Sequence, residues 1–354
     1  MSIRCVALLS GGLDSKLAIR LMQQQGIEVE AVNFKTVFTC CQDQSAQAAR
    51  ELGVRLTVVT PDDDYLQLVR RPQFGYGKGA NPCVDCRIYM FRIADRFREQ
   101  AGAHFLVSGE VVGQRPMSQK RRDLVKISEH SGLEDLLLRP LSAKCLPPTK
   151  PERMGWVDRE RLYDFVGRGR KPLIELAREL GIEDIPSPST GCALTEPRFS
   201  RKVFDLLKHE PDAEAATSES KSETSAVPIA EGEPATRWDF DLLKYGRHFR
   251  VDAATKMIVG RRESENGSLE FLHGLPEARS TAIVLPHNFQ GPAVMVVGPL
   301  TPATLDYAGS LAVRFSNSCP DPESAMVRVV ESSGERIVPV TLVPAAQAAR
   351  TIAG

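Results

Sequence analysis

The sequence predicts a doubly wound α/β domain built on a parallel sheet, followed by a smaller α+β domain. Three observations carry that prediction. Short apolar runs alternate with helical patterns through the first part of the chain, which is how strand–helix–strand crossovers read in sequence. The first of these runs passes directly into the glycine-rich turn Ser10-Gly11-Gly12-Leu13-Asp14-Ser15, and in such sheets ligands sit beyond the carboxyl ends of the strands. From residue 210 to 236 large apolar side chains nearly vanish, and Ala, Ser, Glu, Thr and Pro dominate. Such a segment cannot bury enough surface to order itself. The expected organisation is therefore a domain over 1–209, a flexible linker over 210–236 and a second domain over 237–354.

Composition bounds the function. The chain has 354 residues, 42% of them hydrophobic, enough for two domains with a sizeable core. Its 45 basic and 45 acidic side chains balance, so any nucleic-acid surface must be a local patch. The apolar run near the N-terminus is too short for a signal peptide, and no run approaches the roughly 18 apolar residues of a membrane span. The expectation is a cytoplasmic protein with no membrane partner. Its 8 cysteines would then serve as thiols or metal ligands rather than as structural disulfides.

The elements follow in order. Cys5-Val6-Ala7-Leu8-Leu9 reads as a buried strand and residues 16–22 as a helix. The turn between them makes an anion site, because unpaired backbone N–H groups and the helix dipole both favour negative charge there. Gly11 and Gly12 let the backbone approach an oxyanion without a Cβ in the way. Ser10 and Ser15 add hydroxyl donors, and Asp14 can hold a magnesium ion or cap the helix. The pattern is neither G-x-x-x-x-G-K-[ST] nor G-x-G-x-x-G. It resembles the S-G-G-x-D-S pyrophosphate loop of the PP-loop ATP pyrophosphatases, with an ordinary capped glycine turn as the plainer alternative. That family has an adenine nucleotide α-hydrolase-like fold, cleaves ATP between its α- and β-phosphates, adenylates an oxygen and replaces it with nitrogen or sulfur. The resemblance implies that Ser10, Gly11, Gly12, Leu13, Asp14 and Ser15 bind ATP and Mg2+.

Residues 28–34 and 54–59 read as the second and third strands, with Cys40-Cys41 and a helix over about 43–52 between them. Phe34 would end its strand at the crevice, where it could flank an adenine ring or else belong to the core. A helix opens at Asn81-Pro82-Cys83-Val84-Asp85-Cys86-Arg87, and residues 104–108 form another strand. That strand ends in Gly109-Glu110-Val111-Val112-Gly113-Gln114, with Ser118-Gln119 downstream. This block resembles T-G-E-x-x-G-Q and its following S-Q in the tRNA 4-thiouridine synthases, with Ser108 in place of Thr. Arg139-Pro140-Leu141 and the helix over 171–181, with Lys171, Ile174, Ala177 and Gly181, match further blocks of that family. The resemblance places Gly109, Glu110 and Gln114 on the far wall of the crevice, positioning ATP or the base. The N-terminal RNA-binding module of those synthases has no counterpart before residue 10, so an RNA-binding module would lie C-terminally or be absent.

Cys83 and Cys86 form C-x-x-C at a helix start, where the dipole favours thiolates. A third cysteine, Cys192, sits in Ser189-Thr190-Gly191-Cys192. Asn81-Pro82-x-x-x-Cys86 and Ser189-Thr190-Gly191-Cys192 resemble N-P-D-x-x-C and S-T-G-x-C of the tRNA 2-thiouridylases, whose two cysteines carry sulfur chemistry. In this chain Cys83 replaces the Asp, and Cys192 directly follows Gly191. Three cysteines in this arrangement also resemble the cluster-dependent PP-loop thiolation enzymes. There three thiolates hold a [4Fe–4S] cluster with one iron open to hydrosulfide. A structural zinc site with a fourth ligand, a persulfide relay with Cys192 carrying sulfur and Cys86 resolving, and an inert buried pair remain open beside it. Cys5 and Cys319 read as core or incidental thiols, and Cys40-Cys41 read as core.

Two basic clusters, Lys120-Arg121-Arg122 and Arg168, Arg170 and Lys171, read either as a track for tRNA phosphates or as solvated surface. In the second domain strands are expected over 244–251, 256–262, 281–285, 293–297, 326–330 and 337–342, with an amphipathic helix over 301–315 and a short apolar run after Glu265-Asn266. The run R-x-F-R-V-x-x-x-T-K-x-I-V-G-R-x-x-x-E-N, from Arg247 to Asn266, resembles the RNA-binding domain of NFACT-type ribosome quality-control proteins. By that resemblance Arg247, Arg250, Lys256, Arg261 and Arg262 would meet phosphates. The plainer alternative is a packing or oligomerisation domain. The whole reading is an ATP-dependent tRNA sulfurtransferase, with Cys86, Cys192 and Asp14 as catalytic residues and Cys83, Cys86 and Cys192 as cluster ligands. Its partners are tRNA and a sulfur donor, sulfide or a persulfide carrier; a homodimer is left open. A PP-loop enzyme acting on a small molecule and a non-catalytic, ATP-binding RNA factor are the alternatives.

Overall fold

The computed structural model describes residues 2–39, 44–187, 191–210, 234–319 and 321–354. They form two compact units, Met1–Thr195 and Glu196–Gly354. Cys40-Cys41, Ser189-Thr190 and most of the expected linker lie outside the described residues.

In the first unit, β1 (Arg4–Leu8), β2 (Glu28–Phe34), β3 (Arg55–Val59), β4 (Phe105–Val107) and β5 (Leu137–Leu138) form one sheet in the order β3-β2-β1-β4-β5. Every neighbouring pair is parallel. The helices are α1 (Leu13–Gln24), α2 (Ser45–Leu52), α3 (Asp64–Arg70), α4 (Cys83–Gln100), α5 (Arg121–Ser131), α6 (Lys150–Arg153) and α7 (Lys171–Glu179). Each face of the sheet has its own core. Cys5 and Ala7 pack with Leu17, Met22, Ala48, Leu173 and Leu176 from α1, α2 and α7. Val6 and Leu106 pack with Ile88, Phe91 and Ile127 from α4 and α5. This two-sided burial is why β1 and β4 read as unbroken apolar runs. The chain moves outward from β1 through β2 and β3, then crosses back to β4 on the other side of β1. The order reverses between β1 and β4, and the loops leaving those two strands flank the switch point.

The second unit holds α8 (Pro197–Lys208), α9 (Arg237–Leu242), β6 (Arg247–Arg250), β7 (Lys256–Val259), α10 (Glu263–His273), β8 (Ser280–Pro286), β9 (Val294–Val297), α11 (Pro302–Arg314), β10 (Met326–Glu331), β11 (Gly334–Pro339) and α12 (Pro344–Ala348). Its strands form an antiparallel sheet in the order β11-β10-β8-β9-β7-β6. Met257, Val259, Val294 and Val296 face Leu311 of α11, while Ile258, Ile283 and Met295 face Trp238 of α9 and Leu269 of α10. One expectation changes here. The first unit ends at Thr195 rather than at residue 209, because α8 is tied to the second unit. Lys202 Nζ on α8 donates to the carbonyls of Leu243 and Gly246 at 2.9 and 3.2 Å, and Asp205 pairs with Arg250 at 2.6 Å. The short apolar run after Glu265-Asn266 lies within the helix α10. Among the described residues no helix is long and apolar enough to cross a membrane.

Candidate functional site

The Ser10–Ser15 turn and the Gly109 loop meet at the switch point, and glycine makes the meeting possible. Gly11 has φ 80°, and a Cβ on it would lie 2.6 Å from the carbonyl carbon of Gln44. A Cβ on Gly109 would lie 2.4 Å from the backbone oxygen of Asp14. A side chain at either position would push the turn out of place. Gly12 is the N-cap of α1 and no side chain caps that end, which leaves first-turn N–H groups to a ligand. Ser15 Oγ donates to the Gly12 carbonyl at 2.8 Å and lies 3.3 Å from Ser10 Oγ. Leu13 is buried in the core, so it offers the site only its backbone. Lys16, 2% exposed, pairs with Glu51 at 2.7 Å and with Asp184 at 3.1 Å, which clamps the start of α1 to α2 and to the segment after α7.

Asp14 faces a polar wall. Burial raises its pKa, opposed by a hydrogen bond from Gln114 and by the charges of Arg115 and Arg170. Gln114 Oε1 and Gln119 Oε1 are buried acceptors without a hydrogen-bond partner. Buried acceptors of that kind are rare in native folds unless a ligand or water completes them. Gln114 therefore stands beside Asp14 of the glycine turn. Glu110 does not line the crevice. The side chain is 2% exposed, accepts from Arg139 Nε at 2.9 Å and pairs with Arg87 Nε at 3.4 Å. It is an internal anchor, and its pairing with Arg139 ties the Gly109 block to Arg139-Pro140-Leu141. Phe34 is likewise in the core, packed with Val6, Val32, Ile88 and Phe91, and does not flank the nucleotide crevice.

Cys86 and Cys192 both interact with Tyr65, and Cys83 interacts with Cys86. Cys83 and Cys86 occupy the first turn of α4. Asp85 between them fixes that turn by accepting from the backbone N–H groups of Gln73 and Phe74 at 2.8 and 3.2 Å. Cys86 Sγ lies 3.2 Å from the hydroxyl of Tyr65, which is 3% exposed on α3 and interacts electrostatically with Cys192 as well. The Cys192 segment is held to the same place by Ala193 N donating to the Phe38 carbonyl at 3.2 Å and Ala80 N donating to Leu194 at 3.0 Å. Burial pushes the Cys83 thiol up to about 11, with Cys86 adding to the shift and Arg87 and Arg115 opposing it. Burial also raises Cys86, against the Tyr65 hydrogen bond and Arg87. The Arg115 guanidinium interacts with Asp14, Glu110, Arg87 and Cys83 alike, so it links the turn to the sulfur side.

Among the described residues no three His, Cys, Asp or Glu are grouped so as to hold a metal ion. Cys5 is fully buried in the core. Tyr65, Arg87 and Arg115 escaped the sequence reading. Arg87 and Arg115 each directly follow a residue already singled out, Cys86 and Gln114, whereas Tyr65 carries no local signal. In the basic clusters, Arg170 donates to the Pro186 carbonyl at 2.8 Å and reaches Asp14, whereas Arg122 is exposed beside Asp123.

In the second unit most of the expected phosphate-facing cations are engaged internally. Arg250 pairs with Asp205 at 2.6 Å, Lys256 is 5% exposed, Arg261 pairs with Glu265 at 2.6 Å, and Arg247 lies over the Phe315 ring. Arg262 remains exposed. The G-R-x-x-x-E-N run is architectural. A Cβ on Gly260 would lie 2.0 Å from Asn266 Oδ1, which accepts from the Ala293 N–H at 3.1 Å.

Comparison with known proteins agrees with this layout. Residues 1–144 match the family model described as thiamine biosynthesis protein (ThiI), and residues 246–351 match the NFACT protein RNA binding domain. The tRNA-specific 2-thiouridylase MnmA of Xanthobacter autotrophicus is 27% identical over 207 residues, covering 53% of this chain and 50% of that protein. A protein named "Probable tRNA sulfurtransferase" from Caldanaerobacter subterraneus is 25% identical over 199 residues, covering 46% of this chain and 51% of that protein. The chain thus spans about half the length of these two relatives. A crystal structure of a 4-thiouridine synthetase–RNA complex with bound ATP is 21% identical, with a TM-score of 0.33, covering 58% of this chain and 51% of that one. The chain is thus similar to the ThiI family model over residues 1–144 and to the NFACT RNA-binding model over residues 246–351.

Proposed function

We propose that this chain is an ATP-dependent tRNA sulfurtransferase. The observation that carries the reading is that Tyr65 interacts with both Cys86 and Cys192, while Arg115 interacts with both Cys83 and Asp14 of the glycine turn. The Ser10–Ser15 turn receives the ATP phosphates and Asp14 holds Mg2+. A uridine carbonyl oxygen attacks the α-phosphate, and pyrophosphate leaves. Sulfur from the cysteine side then attacks the activated ring carbon. The carbon–oxygen bond breaks, and AMP departs with that oxygen and the bonding pair. Catalysis of this kind rests on positioning and charge stabilisation. Gln114 and Gln119 offer buried acceptors to a base N–H. Cys83, Cys86 and Cys192 are the residues that would hold a [4Fe–4S] cluster, which when bound supplies an open iron for hydrosulfide. In a second route Cys192 receives sulfane sulfur from a persulfide carrier and its terminal sulfur attacks the ring carbon; Cys86, beside the Tyr65 hydroxyl, then attacks Cys192 Sγ, breaking the sulfur–sulfur bond to free the thionucleoside and leaving a Cys86–Cys192 disulfide that an external thiol reductant reopens. The second unit would bring tRNA to the reaction in a cytoplasmic setting.

The test is mass spectrometry of tRNA from a strain lacking this protein. Loss of one thionucleoside, restored by the wild-type gene, is expected; an unchanged set of thionucleosides overturns the reading. Anaerobic purification decides the sulfur route. A brown protein whose iron is lost in Cys83→Ala supports the cluster, and a colourless, iron-free protein supports the relay.

A further inference from the structure

Around Asp14 and Glu110 the first unit gathers more positive charge than those carboxylates can neutralise. Arg87 from α4, Arg115 from the loop after β4, Arg139 from the turn after β5 and Arg170 from the approach to α7 all reach this pair of acids. Four guanidiniums thus face two carboxylates. Glu110 is already taken up by Arg139 at 2.9 Å and Arg87 at 3.4 Å. Asp14 is shared among Gln114, Arg115 and Arg170. Among the described residues the Arg115 side chain has neither a hydrogen bond nor an ion pair of its own, and its neighbour Arg87 repels it.

The backbone that carries Arg115 is fixed. Gln119 N donates to the Arg115 carbonyl at 2.9 Å, Gly113 N donates to the Gln119 carbonyl at 2.6 Å, and Gly167 N donates to the Val112 carbonyl at 2.7 Å. A held loop thus presents an uncommitted guanidinium beside a second one. Both act on Cys83, and Arg115 also acts on Asp14. Arg115 therefore acts on both the glycine turn and the sulfur side, with Arg87 beside Glu110 acting on the latter. Like charges held together in a partly buried place are costly until an anion joins them, and paired guanidiniums match a phosphate's oxygens.

We propose that Arg87 and Arg115 form an anion subsite, separate from the glycine turn, that binds the 5′-phosphate of the nucleotide, the group that leaves as AMP. The subsite rests on the proposed reaction and adds a holder for the phosphate attacked in the first step and released in the second. The glycine turn takes the pyrophosphate portion.

The test is isothermal titration of the full chain with AMP, with inorganic pyrophosphate and with a single-stranded oligoribonucleotide, in wild type, Arg115→Gln and Arg115→Lys. Arg115→Gln should weaken AMP by about tenfold or more, the size of a lost charged hydrogen bond, and Arg115→Lys should recover part of that. Pyrophosphate should change by less than about twofold, because its donors are backbone groups of the turn. Unchanged AMP affinity overturns the subsite, as does an equal loss for AMP and pyrophosphate. A loss confined to the oligoribonucleotide also overturns it and assigns the pair to RNA backbone. Failure of wild type to bind pyrophosphate counts against the reading of the glycine turn itself, whichever way AMP responds.

Discussion

The two units use arginine in opposite ways. In the first, Arg87, Arg115 and Arg170 come from three separate elements and crowd toward Asp14 and Glu110, with Arg115 uncommitted. In the second, Arg250, Arg261 and Arg279 each have a carboxylate at 2.6 or 2.7 Å from the same unit. A charge already neutralised in the fold has little left for a ligand, whereas one held without a partner is prepared for it. The same contrast runs through the glycines. Gly11 and Gly109 allow two loops to close on a ligand turn, while Gly260 only makes room for the Asn266 side chain.

The comparison can be broken most severely at Glu110. Arg139→Leu leaves that carboxylate buried with a single, longer partner, and removing one member of a buried pair typically costs about 3–5 kcal/mol. Urea unfolding should show that loss, and replacing both residues with leucine should lose less. A Glu110 that tolerates Arg139→Leu within about 1 kcal/mol is not the anchor described above. Gly109→Ala is next. Displacing the Asp14 backbone should lower ATP–pyrophosphate exchange by about 100-fold, the usual consequence of a misplacement near 1 Å. Exchange at the wild-type rate would mean that the two loops do not need to touch.

In the second unit the internal pairing makes a prediction about pH. Burial lowers Lys256 from 10.5 to about 7, with Asp205 pulling the other way, and lowers Lys202 to about 8. Between those values and 10.5 the unfolded chain holds protons that the folded one has released. Stability of this unit should therefore rise with pH above 7, by up to about 1.4 kcal/mol per pH unit for each lysine. His248, fully buried and held well below its ordinary 6.5, adds a loss of stability as pH falls through 6.5. Urea midpoints at pH 6, 7 and 9 check the trend, and a flat or falling series contradicts it. Smaller effects follow at the surface. Thr301→Ala removes the N-cap acceptor of α11, a 3.2 Å bond to Thr304 N, and should cost about 1 kcal/mol. Arg328→Ala breaks a pair that is 43% and 60% exposed and should cost less than about 1 kcal/mol.

How much of this was legible in the sequence follows from which interactions are local. The strands of the parallel sheet and the turn at Ser10 declare themselves through continuous apolar runs and adjacent glycines. So does the first turn of α4, where Pro82, Cys83 and Cys86 stand together. The convergence of Cys192 on Cys86 was foreshadowed by motif likeness alone, since Tyr65 and the Phe38 carbonyl, which bring the segments together, have no pattern of their own. Glu110 looked like a ligand-facing acid because its partners, Arg87 and Arg139, are distant in the chain. Arg250 and Lys256 looked like phosphate contacts for the same reason, their carboxylate being Asp205 on α8. That helix reads by itself as a continuation of the first domain, and only its packing assigns it to the second.

The central claim is that one crevice activates the base with ATP while a separate set of thiols supplies the sulfur. Purified chain, ATP and tRNA from the deletion strain allow both halves to be followed at once, as pyrophosphate released and thionucleoside formed in the presence of sulfide. Cys192→Ser should keep tRNA-dependent pyrophosphate release within about threefold of wild type, since it leaves the phosphate site untouched, and should form no thionucleoside. Pyrophosphate release lost together with thiolation, or thiolation that survives the substitution, would contradict the account.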